Sequence, residues 1–227
     1  MDPASKAAPF YLRQLPLGQM KNFVYLLGAE GGQEAVVVDP AWDAKAIREQ
    51  LQADGRTLAG IVLTHHHSDH INATQELLQT FDVPVYAQRA EVDFAESLQP
   101  FGGALKPASP GMQVDVAGIP LTLIHTPGHT PGSQCVLVRG ALVSGDTVFV
   151  NACGRCDFPG GDPEQMWNSL CNVLGALPGE TVLWPGHDYG DVKVSSLNRE
   201  REKNPYFRFQ AMKDFVAYRL PSRAARD

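Results

Sequence analysis

The sequence predicts an α/β fold in one domain, and three observations carry this. Short apolar runs of strand character alternate with helical patterns along the whole chain. No internal repeat, low-complexity segment or linker divides it. Its 227 residues are enough to bury one large core.

Residues 11–17, 23–27 and 35–39 read as strands, the last two joined by a turn-rich stretch over 28–33. A helical pattern over 44–53 has Asp43 as its cap and Gly55 as its stop. Residues 60–63 form a short buried strand, and 72–81 a helix with Ala73, Leu77 and Leu78 on one face. Strands follow over 83–86, 120–125, 134–138 and 141–143. The helix over 162–177 carries Met166, Leu170, Val173, Leu174 and Leu177 at helical spacing. A last buried strand over 181–184 precedes helices over 195–203 and 210–218. These apolar stripes are core. The domain core is expected over about 10–207 with a short helical extension over 208–220, and the ends before Phe10 and after Arg219 are expected to be loose.

The composition, 44% hydrophobic and 19% charged, is that of an ordinary globular protein. A net charge of -6 with no basic block argues against a nucleic-acid or anionic-membrane binder. No stretch is apolar enough for a membrane span, and the first residues lack a secretion-signal core, so the expected location is cytoplasmic. Cys135, Cys153, Cys156 and Cys171 make no disulfide framework in a chain this long. Cys153-Gly-Arg-Cys156 is formally a C-x-x-C, but glycines and a proline follow where a redox motif needs a helix, so reduced loop cysteines are expected. The run from Arg199 to Lys203 reads as a solvated helix face.

The chemistry lies at the strand ends. Thr64 to His70 reads Thr-His-His-His-Ser-Asp-His, directly after an apolar run, and presents His65, His67, Asp69 and His70. Three further apolar runs lead through a glycine to His129, Asp146 and His187. Imidazoles and carboxylates gathered at the carboxyl ends of buried strands suit zinc, iron or manganese, and α/β folds place their sites there. One such residue alone would be unremarkable, but four coincidences after four apolar runs point to a metal site. His66 alternates away from its neighbours, and His125 ends its strand; both are expected to play supporting or structural roles.

His65-x-His67-x-Asp69-His70, His129 in Thr-Pro-Gly-His-Thr, Asp146 in Ser-Gly-Asp-Thr and His187 in Pro-Gly-His resemble the metallo-β-lactamase superfamily over about residues 10–207. The resemblance implies a four-layer αβ/βα sandwich. It implies that His65, His67 and His129 hold one divalent ion, that Asp69, His70 and His187 hold a second, and that Asp146 bridges them. Zinc is the expected metal, with iron or manganese as alternatives. Two such ions lower the pKa of a shared water toward about 7 and polarise a carbonyl, so no serine or cysteine nucleophile is needed. Asp69 is the implied catalytic group, orienting the nucleophile and moving its proton.

Asp146 stands where some β-lactamases carry a cysteine ligand, which disfavours that class. The chain also lacks the inserted domain and basic surface of the superfamily's nucleases. The segments Gly154-Arg155-Cys156-Asp157-Phe158 and His187-Asp188-Tyr189 look like the glutathione-thiol branch. That branch contains glyoxalase II-like thioester hydrolases and persulfide dioxygenases. Arg155 and Tyr189 are the implied substrate-binding residues, Arg155 pairing either with a glutathione carboxylate or with Asp157. The leading expectation is a two-metal hydrolase of a thioester such as an acylglutathione. A persulfide dioxygenase with a single Fe(II) on His65, His129 and Asp146 is the alternative, and a lactonase a further one. Most of the C-terminal helical substrate domain of full glyoxalase II is missing. The expected partner is a small-molecule thioester or thiol, with neither nucleic acid nor membrane. Homodimers are common in the superfamily, although no sequence patch marks one.

Overall fold

The computed structural model describes residues 9–220, so the loose ends expected from the sequence fall almost wholly outside the described residues. The chain builds two six-stranded sheets. The first takes β1 (Tyr11–Leu17), β2 (Asn22–Gly28), β3 (Glu34–Val38), β4 (Thr57–Val62), β5 (Val85–Gln88) and β6 (Leu105–Ala108), in that spatial order. β1 to β3 pair antiparallel, whereas β3 to β6 run parallel, with α1 (Ala44–Ala53), α2 (Ser68–Ile71), α3 (Thr74–Leu78) and α4 (Arg89–Phe94) in the crossovers. The second sheet uses β7 (Met112–Val116), β8 (Ile119–His125), β9 (Gln134–Val138) and β10 (Ala141–Val143). After the small hairpin of β11 (Val148–Phe149) and β12 (Ala152–Cys153) and helix α5 (Pro163–Asn168), β13 (Val182–Trp184) and β14 (Ser195–Ser196) complete it in the order β14-β13-β10-β9-β8-β7. Helices α6 (Leu197–Lys203) and α7 (Met212–Arg219) follow.

Side-chain alternation explains the layering. In β2, Phe23, Tyr25 and Leu27 point between the sheets toward Leu121, Leu123 and Val136, while Val24 and Leu26 point outward to Ile47, Leu51 and Leu77. Every residue of β2 is buried, hence its unbroken apolar run. The outer face of the second sheet, Cys135, Leu142 and Leu183, packs on Met166, Leu170, Leu197 and Phe215. Two sheets with helices on both outer faces are the expected αβ/βα sandwich.

Three expectations need correction. The helix expected over 72–81 is shorter: only α3, Thr74–Leu78, forms within it, and it is separated from α2 because the Ala73 amide donates to Pro40 O and Asn72 Oδ1 caps the Trp42 amide. The helix expected over 162–177 is α-helical only to Asn168. It then widens into a π-turn over Ser169–Val173, where Ser169 Oγ donates to Pro127 O, and ends in a 3-10 turn. The Arg199–Lys203 run is not a solvated face. Glu200 is fully buried, and Arg201 donates to the carbonyls of Leu174, Gly175 and Leu177. Strands β6 and β7 and helix α4 escape the sequence reading.

No disulfide joins the four cysteines; of the pair expected in a loop, Cys153 instead ends strand β12, and Cys156 lies in the loop after it. Among the described residues no helix is long and apolar enough to cross a membrane.

Candidate metal centre

Five strands end on one rim of the sandwich. Asp39 follows β3, the His65–His70 turn follows β4, His129 follows β8, Asp146 follows β10 and His187 follows β13. The sheets are tied there: the Gln134 amide donates to Thr64 O, and the Phe23 amide to Gly186 O at 2.8 Å. Gly128 runs at φ 138°, and a Cβ there would strike the Met166 backbone, so the turn bearing His129 is pressed onto α5. A Cβ on Gly186 would lie 2.7 Å from Asp146 Oδ1, so only glycine admits that carboxylate beside the end of β13.

All seven residues expected as ligands converge. Donor atoms of His65, His67 and His129 lie within 4.8 Å of one another, as do those of Asp69, His70 and His187. Asp146 stands between the trios. Its Oδ2 is 3.5 Å from His129 Nε2, and its Oδ1 is 3.3 Å from both His70 Nε2 and His187 Nε2. Asp69 Oδ2 lies 3.4 and 3.5 Å from the same two nitrogens.

The outer hydrogen bonds set the tautomers. His129 Nδ1 donates to Arg155 O (2.7 Å), His187 Nδ1 to Met20 O (2.8 Å) and His70 Nδ1 to Asp39 Oδ2 (2.9 Å). Asp39 also accepts the Thr64 amide and hydroxyl, both at 2.6 Å, leaving Thr64 Oγ1 to accept from His65 Nδ1. Each of these imidazoles therefore turns a bare Nε2 lone pair inward. His70 Nε2 and His187 Nε2 face each other at 3.1 Å, and His129 Nε2 faces His67 Nδ1 at 2.9 Å. His65 Nε2 and Asp146 Oδ1 are buried without a hydrogen-bond partner. Buried acceptors crowded this closely, two of them without any hydrogen-bond partner, are costly unless a cation lies among them. The donor set thus fits divalent metal. Asp39, His65 and His70 also cluster, but Asp39 already spends both oxygens on hydrogen bonds.

Charge follows the same pattern. Burial pushes His65 well below the usual histidine range, takes His67 down to about 4 and lowers His129, aided in each case by neighbouring imidazoles. These three imidazoles are neutral near neutrality, as metal coordination requires. Burial also disfavours charge on His70, but Asp146 and Asp39 outweigh it and raise its pKa, so His70 Nε2 attracts positive charge to the centre, as a proton or as a metal ion. Asp146 resists burial in turn and stays ionised because of His70 and His187.

His66 and His125 stand apart, as the sequence suggests. His66 Nδ1 lies 2.6 Å from Glu91 Oε1, and His125 Nε2 donates to Pro131 O. A cleft of about 650 Å³ opens over the centre, with Met20, Phe149, Phe158 and Tyr189 in its wall. The Tyr189 ring stacks on His187 at 4.6 Å and 8°. Arg155 is exposed at the mouth, bonded to Asp157 at 2.9 and 2.6 Å and lying over the Phe158 ring. The loop pairing of Arg155 is thus the one present in the structure.

Sequence reading missed three supporting residues. Asp39 ends an apolar strand just as the ligands do, so the same signal marks it. Glu91, 1% exposed, accepts from the His66 amide, Thr130 Oγ1 and the Gly132 amide, tying the β4 turn to the His129 loop. Asn22 Nδ2 donates to Asp69 O and Oδ2, and Asn22 Oδ1 accepts from Trp42 Nε1. Nothing local in the sequence distinguishes Glu91 or Asn22.

The Metallo-beta-lactamase superfamily profile matches residues 17–187. A probable polyketide biosynthesis zinc-dependent hydrolase, BaeB of Bacillus velezensis, is 31% identical over 198 residues, 87% of each chain. A hydroxyacylglutathione hydrolase of Dechloromonas aromatica is 38% identical over 173 residues, 76% of this chain and 60% of that protein. The crystal structure of ETHE1 from Myxococcus xanthus superposes with a TM-score of 0.77 at 28% identity, over 95% of this chain and 99% of that one. The chain belongs to the metallo-beta-lactamase superfamily, as an enzyme of its glyoxalase II-like and persulfide dioxygenase-like branch.

Proposed function

We propose that this protein is a two-metal hydrolase of thioesters, with acylglutathiones as the substrate class. The observation that carries the reading is the complete second trio, Asp69, His70 and His187, which shares Asp146 with His65, His67 and His129. The first three histidines would hold one ion and the trio the other, zinc being favoured. When bound, the ions supply a nucleophilic water at neutral pH and polarise the acyl carbonyl.

The chain's own residues do the rest. Asp69 is the catalytic carboxylate: Asn22 grips its backbone carbonyl and Oδ2 at 2.9 and 3.0 Å, fixing the group that takes the proton of the nucleophile. The same carboxyl returns the proton to the departing thiolate. The apolar wall of Met20, Phe149 and Tyr189 excludes water beside the acyl group, and Tyr189 offers a hydroxyl to the substrate. At the mouth, Arg155 exchanges Asp157 for a carboxylate of the thiol moiety. Four free thiols and an acidic net charge suit a cytoplasmic enzyme acting on a small molecule.

One observation favours a second reading, a mononuclear Fe(II) persulfide dioxygenase on His65, His129 and Asp146. The ETHE1 match spans almost the whole of both chains, whereas this chain spans only 60% of the hydroxyacylglutathione hydrolase. Metal counting on protein purified without added metal, paired with two assays, separates the readings. Two ions per chain with thioester hydrolysis are expected. One iron per chain, oxygen uptake on glutathione persulfide and no thioesterase activity would overturn the hydrolase reading. Faster turnover of lactones than of acylglutathiones would move the substrate class to lactones.

A further inference from the structure

Two pieces of chain distant in sequence meet on one side of the apolar wall of the cleft. One is the β11–β12 hairpin, which presents Phe149, Ala152 and Cys153; the other is the loop after β13, which presents Tyr189. They touch through Phe149, whose ring packs edge-on against Tyr189 at 5.5 Å, and through Gly190, which abuts the Val150 side chain so closely that no Cβ fits. Neither piece has much structure of its own. The hairpin pairs only two residues per strand, and its turn includes Asn151 at φ 63°, a conformation uncommon for a residue with a side chain.

Both pieces are held from behind by one buried carboxylate. Glu200 in α6 is fully buried. Its Oε2 accepts from the Asn151 amide at 2.7 Å and from Asn204 Nδ2 at 3.1 Å; its Oε1 accepts from Ser195 Oγ and, at 3.0 Å, from Arg199 Nη1. Two of those donors reach onward. Asn204 Nδ2 also bonds Ala152 O at 2.9 Å and Phe149 O at 3.3 Å, framing the hairpin. Arg199 Nη2 forks onto both Asp191 oxygens at 2.8 Å, and Asn151 Nδ2 bonds the same carboxylate at 2.9 Å, pinning the end of the Tyr189 loop. No atom of this network is among the seven residues of the metal centre.

The geometry points to Glu200 as a positioning residue for substrate selectivity: through Asn151, Asn204 and Arg199 it sets the separation of these two pieces of the acyl wall. A buried carboxylate that satisfies four donors is a rigid anchor, and its amide analogue cannot be one. Glutamine offers one acceptor oxygen and turns an NH2 group toward donors. The hairpin and the Tyr189 loop then lose their common support while the β4 turn, held by Asp39 and Glu91, keeps its own. The wall meets the acyl group and the metal centre meets the carbonyl, so the change falls on binding and acyl discrimination rather than on the chemical step.

The kinetic part of this inference rests on the thioester reading; the structural part does not. The test uses Glu200→Gln in the full metal-loaded chain, with amide hydrogen exchange, metal counting and steady-state kinetics on acylglutathiones of short and long acyl chains. Exchange is expected to quicken over 148–153 and 187–191, with 61–70 at the wild-type rate and the metal count unchanged. KM for the preferred acyl chain is expected to rise about tenfold, the scale of one contact in an apolar pocket, with kcat within about threefold and chain-length preference flattened. Faster exchange confined to 195–204, unchanged KM and preference, or loss of metal would each overturn the assignment. Should wild type turn over no thioester, the functional reading fails, while the exchange pattern still decides the role of Glu200. Should Glu200→Gln not fold, Asp191→Asn, at an exposed side chain, removes only the outer grip. Faster exchange at 187–191 and a raised KM are then expected, and no change in either overturns the inference.

Discussion

Replacing Asp39 by asparagine isolates how the tautomer of a metal-facing histidine is set. Asp39 Oδ1 accepts the Thr64 amide, and Oδ2 accepts both the Thr64 hydroxyl and His70 Nδ1. Asparagine has the same shape but a single acceptor oxygen, which the Thr64 amide claims. Its NH2 group then faces the Thr64 hydroxyl, which can rotate, and His70 Nδ1, which cannot. His70 relieves the clash by moving its proton to Nε2, the atom now 3.1 Å from His187 Nε2, so the inward lone pair is lost. One charge-assisted hydrogen bond of this kind contributes about 1.5–3 kcal/mol. That corresponds to roughly 10–150-fold in an equilibrium constant, in line with the effect of outer-shell partners on metal affinity. Metal held by Asp69, His70 and His187 is therefore expected to bind about 10–100-fold more weakly. Affinity at His65, His67 and His129 should fall less than about fivefold, because Asp39 reaches that trio only through Thr64. Competitive chelator titration with zinc, and metal counting after dialysis, measure both. A variant that keeps both affinities within threefold of wild type would refute the claim that Asp39 fixes His70.

Three further outcomes follow from the same contacts. Glu91→Ala strands the His66 amide and ring, Thr130 Oγ1 and the Gly132 amide around a buried hole; a loss of about 3–5 kcal/mol is expected, near 10 °C in Tm, and a loss below 3 °C contradicts it. Asp54 is held down to about 2 chiefly by Arg13, so its stabilising effect is complete above the unfolded carboxylate range near 4 and disappears as pH falls through about 2. Because Arg13 is half exposed, that effect is below about 1 kcal/mol and screened by salt, and the Tm gap between wild type and Asp54→Asn should close between pH 4 and pH 2 in low-salt scans. Arg155→Ala removes an exposed side chain paired with Asp157, so Tm should hold while KM for acylglutathione rises about tenfold; unchanged KM would leave Arg155 with the loop pairing alone.

The converging set of seven was legible because its signal is local. Each of these residues lies in a turn that leaves a buried strand, and β-alternation within the His65–His70 turn already separates His66 from its neighbours. The 72–81 helix was misread because the forces that break it are distant: Pro40 takes the Ala73 amide, and Trp42 takes Asn72. The Arg199–Lys203 face looked solvated because helical spacing does not report what packs against it. Burying Glu200 requires Ser195, Asn151 and Asn204 to arrive together, and only the folded chain assembles those donors.

By itself the sequence determined the α/β class, the identity of the seven converging residues and the superfamily they resemble, since apolar periodicity and residue chemistry are written along the chain. The tertiary structure decided how those residues face one another: which nitrogen of each histidine points inward, where Asp146 stands between the trios, and which carboxylates hold the ligands from outside. It also decided that Arg155 pairs with Asp157 and that the cleft wall is anchored from α6. Those are properties of contacts between strand ends and loops far apart in sequence, and they come into being only when the two sheets close on each other.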